Sequence, residues 1–368
     1  MASVRRIVSW SLALSLFLLI SMLASASIGP ADIGPSTVVK SVLNALAIPT
    51  GVSVSMIGTQ PFGAGLTNGP GPISIRWSQP FAFDVPDAHQ TIVVHLRLPR
   101  IVLAAVVGFA LAAAGTVMQG FFRNPLADPA IIGVSSGAAV GAVMVITMPF
   151  FLPFGLEVAA FVGGLTAAAL VYLIATDNGR TPVATLLLAG IAIQTFLGAV
   201  ISYLILNSGD SIETAVHWLM GHLHHSTWGD VAFALPVTIV FFIILLAYSR
   251  DLNVLLLGEE DAHNLGVAVE RTKRILLGLS SAITAAAVAV SGVIGFVGLI
   301  IPHMLRLLVG PDHRILLPTA ALAGGTFLVL TDTLARAGPV EVPVGIITAA
   351  FGAPFFLYLL KTREVHRL

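Results

Sequence analysis

A bilayer hydrocarbon core about 30 Å thick asks for roughly 20 consecutive apolar residues from each helix that crosses it. This chain of 368 residues meets that demand again and again. Apolar runs long enough for a full or partial crossing extend over Ile7 to Ile28, Leu98 to Met118, Ala130 to Phe151, Leu156 to Ala175, Val183 to Leu206, Val231 to Tyr248, Ile275 to Ser291, Gly295 to Val309, Ile315 to Asp332 and Val344 to Leu360. With 57% hydrophobic residues, the chain holds more apolar surface than a soluble fold of this size could cover. The expectation is an all-α polytopic membrane protein with ten transmembrane helices, forming one domain over residues 1–368. The first run follows Arg5 and Arg6 and ends in Ala24-Ser25-Ala26-Ser27, so it also reads as a cleavable signal peptide. Its length of 22 residues fits a span, and it is counted as one.

Lysine and arginine orient these spans. If the N-terminus is cytoplasmic, the inner segments carry Arg5, Arg6, Arg123, Arg180, Arg250, Arg271, Lys273, Arg274, Arg306, Arg314, Lys361, Arg363 and Arg367. The outer segments then carry Lys40, Arg76, Arg97, Arg100 and Arg336. Thirteen against five is a clear positive-inside bias and places both termini in the cytoplasm of a multi-pass cell-membrane protein.

Between Gly29 and Leu96 lies a long outer loop, rich in Gly, Pro and Ser, that reads as irregular apart from an amphipathic turn near Val38 to Leu46. In GVSSGAAVG, residues Gly133, Gly137 and Gly141 fall on one helical face, a seam for close packing that reads first as a contact inside one subunit and otherwise as a dimer contact. A faint echo links LPRIVLAAVVGFALAAAG, which begins outside, to TKRILLGLSSAITAAAVAVSG, which begins inside. That is the pattern of an inverted repeat of five spans.

Chemistry is sparse. There is no HExxH, GxSxG or GxxxxGK[ST] motif, and no cysteine for disulfides, thiolate metal sites or thiol catalysis. No catalytic residues are assigned. Zero net charge without a basic tail gives no sign of nucleic-acid binding. The spans carry almost no ionisable groups away from their ends, whereas ion-coupled carriers usually place one near a helix centre. This favours a permease driven by another subunit.

The exception to the low charge is GEEDAHNLGVAVERTKR, Gly258 to Arg274, where seven of seventeen residues are Asp, Glu, Lys or Arg. Ala262, Leu265, Gly266 and Val269 recur at helical spacing, with Glu259, Glu260, Asp261 and His263 mostly opposite. A short surface helix ending at Gly266 fits, and it reads either as a solvated loop or as a knob with an apolar contact face and a charged rim.

RLPR at Arg97 to Arg100, MQGFFRNPLADPAIIGVSSGA, GEEDAHNLGV, GFVGLIIPHMLRLLVGPDHRILLP and EVPVGIITAAFGAPFFLYLL together resemble the permeases of the FecCD family over Arg97 to Lys361. The resemblance implies a type II ABC importer permease architecture: a homodimeric permease, two cytoplasmic ATPase subunits that bind ATP and Mg, and an extracytoplasmic binding protein. No cofactor is implied in this chain itself. Cobalamin is the substrate the resemblance first suggests, with ferric siderophores or haem as the alternative and a metal ion further behind. It assigns Glu259, Glu260, Asp261, Ala262, Leu265 and Gly266 to the ATPase-coupling helix, Asn124 and Leu126 to a cytoplasmic gate, and Arg97, Arg100 and Arg336 to carboxylates of the binding protein. A second family gate before span five often carries small hydroxyl residues, where this chain has Val183 and Ala184.

The residues themselves leave other readings open. Asp128 is placed to cap the third span and Pro129 to start it, so Asn124 and Leu126 could simply form that turn. The three arginines could snorkel to lipid phosphates. His217, His222, His224 and His225 include a pair at helical spacing that could bind zinc, but no third ligand is defined and no metal site is assigned. A short outer helix near Thr214 to Met220 resembles the family's outer gate.

Overall fold

Residues 2–29, 31, 33–46, 48–54, 73–148, 155–338 and 340–362 are described in the computed structural model. The tip of the long loop at 67–72, Phe151, Arg363 and Arg367 lie outside them.

Along the chain the elements are α1 (Ala2–Ser27), α2 (Pro35–Ala45), β1 (Ile48–Val54), β2 (Ile73–Ser78), α3 (Asp87–Thr91), α4 (Leu98–Phe121), α5 (Val134–Thr147), α6 (Leu156–Ala175), α7 (Val183–Leu206), α8 (Ile212–Leu219), α9 (Trp228–Ala247), α10 (Ser249–Leu255), α11 (Glu259–Asn264), α12 (Val269–Ser291), α13 (Val297–Val309), α14 (His313–Ala335) and α15 (Val344–Thr362). Among the described residues, seven helices are long and apolar enough to cross a membrane. Three shorter apolar helices, Val134–Thr147, Val297–Val309 and Val344–Tyr358, match the remaining runs. The ten-span expectation is compatible with this pattern.

Two of the short helices are short for the same reason. Before α5 the chain makes a 3₁₀ turn, Pro129–Ile132, and then passes through Gly133 at φ 82°. Before α13 it leaves the helical conformation after Ser291 and re-enters through Phe296 at φ 68°. Non-helical backbone at membrane depth survives only where protein surrounds it, and Pro129, Ile132, Ser291 and Val297 are all buried. Interruptions at matching places in the two halves agree with the inverted-repeat echo. They also revise the glycine seam. Gly133 stands outside the helix as its left-handed cap, while Gly137 and Gly141 lie against the Gly163 and Ala159 carbonyls of α6, where a Cβ would collide.

The core is built on α4, α12 and α14. Their most apolar stretches are 83%, 72% and 72% buried, against 6% for α1 and 17% for α7. Helices this apolar gain little from the hydrophobic effect in lipid, so they associate through close backbone contact. A Cβ on Gly115 of α4 would overlap the Gly298 carbonyl of α13, and one on Gly108 would overlap the Gly324 carbonyl of α14.

The long loop departs from expectation. Its α2 covers the amphipathic turn, but β1 and β2 form an antiparallel pair with Val52 opposite Ile75 and Val54 opposite Ile73. This small sheet is an addition to an otherwise helical chain. The two runs alternate Val or Ile with Ser, a strand period, yet each is too short and too far from its partner to stand out. Helix also begins earlier than Arg97: α3 continues through a π-helical turn, Ile92–Arg97, into α4. Pro99 lacks an N–H, and the wider turn accommodates that gap without breaking the rod.

Replacing Gly115 by Leu should lower the thermal stability of the detergent-purified chain by about 1–3 kcal/mol, the usual cost of overpacking. Gly278→Leu is the control, because a Cβ there meets nothing within 4 Å. Equal melting temperatures for both variants would refute the close-contact account.

Candidate functional site

The charged stretch folds as α11, framed at both ends by glycine. Gly258 precedes it at φ 126°, and Gly266 follows it at φ 86°. The Gly266 N–H donates to His263 O (2.9 Å) and the Val267 N–H to Ala262 O (3.0 Å), so two of the free carbonyls of the last turn are satisfied and the helix stops there. Its apolar residues divide. Ala262 is fully buried against the body of the protein, whereas Leu265 is 64% exposed. Glu259, Glu260 and Asp261 occupy the first turn, where negative charge suits the helix dipole.

Beneath α11 sits Lys273, which sequence reading counted only as a topological charge. Its side chain is 6% exposed. The Nζ donates to Glu259 Oε1 of α11 (3.1 Å), Glu270 Oε1 of α12 (3.0 Å) and the Thr181 carbonyl just before α7 (2.7 Å). Glu270 closes the ring by accepting from the Thr181 N–H (3.2 Å). Thr181 follows a tight turn in which Asp177 and Arg180 exchange both backbone hydrogen bonds, with Asn178 and Gly179 at φ 49° and 76°. Positive φ at both central residues is the two-residue hairpin geometry that Asn-Gly favours. Val183 and Ala184 begin α7 immediately beyond this anchored loop.

The other candidate gate is close by. Asn124 Oδ1 accepts from the Leu126 N–H (2.9 Å), and Asp128 Oδ1 accepts from the Ala130 N–H (2.8 Å). The expected Asp128 cap is therefore formed, on the 3₁₀ turn rather than on α5. Asn124 is exposed and Leu126 half-buried. On the same side, Asp312 accepts from Asn253 of α10 (2.7 Å) and from the Arg314 N–H and guanidinium, capping α14.

At the opposite end the three arginines are already engaged. Arg97 donates to the Ala26 and Ala31 carbonyls (2.6 Å each). Arg100 meets Asp332 through Nε and Nη2, the shortest contact being 2.7 Å, and reaches Glu341 through Nη1 (2.6 Å). Arg336 donates to the Ile28 and Ser25 carbonyls (2.9 and 2.8 Å). Lipid snorkelling does not describe them, and docking to a partner would compete with these bonds. Asp332, 1% exposed, is the counter-charge that sequence reading passed over, although a carboxylate closing an apolar run was its signal.

Next to the arginines is a cavity of about 560 Å³ lined by Arg97, Arg100, His224, Arg336 and Glu341. The segment His222 to His225 is a turn, not the helix that a zinc pair would use. The His224 ring lies 4.6 Å from that of His222 and 4.0 Å from that of His225. Among the described residues, no three His, Asp or Glu side chains are grouped to hold a metal ion. Helix α8 covers the expected outer segment, with Trp218 buried.

The family model described as the FecCD transport family matches residues 17–362. The chain belongs to that family. It is 58% identical to the cobalamin import system permease protein BtuC of Halobacterium salinarum, over 99% of this chain and 98% of that one. It is 45% identical to the hemin transport system permease protein HmuU of Yersinia pestis, over 80% and 90% of the two chains. A solved structure described as a metal-chelate type ABC transporter in an inward-facing conformation superposes with a TM-score of 0.77, at 32% identity, over 96% of this chain and 98% of that one. This chain is accordingly an ABC importer permease, a multi-pass membrane subunit.

Two outcomes follow from the geometry. Arg100→Ala leaves the buried Asp332 with only the longer Arg336 Nε contact (3.5 Å) and should cost about 3 kcal/mol of stability, the lower end for breaking a buried pair, a fall in melting temperature that a purely docking arginine would not cause. The Arg314 guanidinium holds the Asp312 carboxyl down at about 2. A depressed folded value means that this cap stabilises fully above the ordinary carboxylate range near 4 and is lost as pH falls through about 2. Asp312→Asn should therefore flatten acid unfolding in that window; an unchanged profile would remove Asp312 from the account.

Proposed function

We propose that this chain is the membrane-spanning subunit of an ATP-driven cobalamin importer, working as a homodimer with two cytoplasmic ATPase subunits and an extracytoplasmic binding protein. The single observation that carries the substrate is the 58% identity, over essentially the whole chain, to a permease named for cobalamin import. ATP and Mg would be bound by the ATPase. Both termini would be cytoplasmic, which the positive-inside bias supports.

In this reading α11 is the coupling knob. Leu265 projects as the apolar contact, Glu259, Glu260 and Asp261 form the charged rim, Ala262 seats the helix on the body, and Gly266 ends it. Closure of the ATPase pair would displace α11 and drive alternating access. Asn124 and Leu126 would act at the cytoplasmic gate, together with the loop before α7. Arg97, Arg100 and Arg336 would support the docking platform chiefly by fixing the end of α1 to α4 and α14. Haem is the second reading, favoured by the 45% identity to the hemin permease.

Leu265→Asp with Gly266→Asp should abolish copurification of the ATPase while leaving the melting temperature of the permease within a few degrees. Retained copurification would refute the coupling role. In vesicles carrying the full complex, haem or ferric siderophores should compete poorly with cyanocobalamin for uptake. Preferential uptake of haem would replace the substrate assignment with the second reading.

A further inference from the structure

We propose that Lys273 is the transmission residue of the permease, the group through which displacement of α11 reaches the loop that opens α7. The inference rests on the coupling role of α11 and adds how movement leaves it.

The geometry is specific. A buried ammonium must surround itself with acceptors, and Lys273, itself on α12, takes one from its own helix, Glu270, and two from other elements: Glu259 in the first turn of α11 and the Thr181 carbonyl ahead of α7. Thr181 is held twice, since its own N–H donates to Glu270. Immediately upstream, the Asp177–Arg180 turn is closed by its two backbone hydrogen bonds, so the loop can follow its anchor as a unit. A side chain that merely filled space here would need no donor. One that satisfied a single stray charge would not bind a backbone carbonyl at 2.7 Å as well.

Moving α11 away from α12 would stretch the Lys273–Glu259 contact, the more exposed of the two ion pairs. An ammonium that follows Glu259 pulls the Thr181 carbonyl with it and shifts the α7 N-terminus, whereas one that stays with Glu270 leaves Thr181 in place and the two elements uncoupled; the first response is the one proposed. Lys273 acts through these groups and touches neither substrate nor nucleotide, so it is a positioning residue.

The test uses the assembled complex in vesicles with cyanocobalamin. Lys273→Met keeps the stem and removes the donor. It should copurify with the ATPase and hydrolyse ATP, yet move about tenfold less substrate per ATP, in the range typical of a lost coupling energy. Lys273→Arg, which restores charge and donors, should recover most of that ratio. An unchanged ratio in the Met variant overturns the proposal, and so does failure of Arg to rescue. Loss of copurification in Leu265→Asp alone tests the α11 reading separately. If the Met variant does not assemble, Glu259→Gln carries the test: it weakens one arm of the junction, and a wild-type ratio there would equally overturn the proposal. The natural absence of cysteine allows Arg180→Cys to carry a spin label. Its nucleotide-dependent spectral change should be present with Lys273 and absent with Met.

Discussion

A charge placed among apolar helices has no water to turn to, so it must find a counter-charge or hydrogen-bonding acceptors in the chain, and that requirement organises both ends of this molecule. At one end, Arg100 binds Asp332 and Glu341 while Arg97 and Arg336 take carbonyls near the end of α1. At the other, Lys273 gathers α11, α12 and the approach to α7. In each cluster a cation joins elements far apart in sequence. Between them the body is almost free of charge and is held by helix contacts as close as Gly115 against Gly298. The two regions therefore differ in mechanical character. The middle is held by backbones in direct contact, and the ends by directional ionic contacts.

What was legible in the sequence follows from the same division. Long apolar runs report directly on crossing helices, because lipid demands length and hydrophobicity whatever the neighbours are. Local chemistry was legible too: Asp128 caps the turn it precedes, and α11 ends where Gly266 adopts positive φ. Partners were not. Arg97, Arg100 and Arg336 stand out in the sequence on the charge-poor side, but their acceptors lie at Ala26, Ala31, Asp332, Glu341, Ser25 and Ile28, and no local spacing announces such pairings. Lys273 was overlooked because at the start of an apolar run it resembles any topological lysine. Burial makes it different, and burial belongs to the fold.

The division of α11 illustrates the point within a single turn. Ala262 and Leu265 share a helical face by spacing, and sequence alone treats them as one apolar patch. In the fold Ala262 is sealed and Leu265 is exposed, because Leu265 lies at the cap where the chain is turning away. A small residue seats the helix, and a large one projects from its end. That arrangement suits a knob better than a continuous stripe would, since one contact can be displaced without unseating the other.

Transmission between a surface helix and a gate needs a connection that is firm in compression and able to exchange. A purely apolar contact between α11 and the α7 loop would let the loop slip as α11 moved, because dispersion has no direction. A backbone connection would be too stiff, forcing both elements through one path. A lysine with acceptors on three elements lies between these limits. Its hydrogen bonds are directional, so motion of Glu259 is felt at Thr181, while Glu270 keeps the charge compensated when Glu259 departs. The second carboxylate is what makes the exchange feasible. With Glu259 alone, separation would strand a buried cation and α11 would be locked in place; with Glu270 present, the cost of moving is reduced to one ion pair at a half-exposed site.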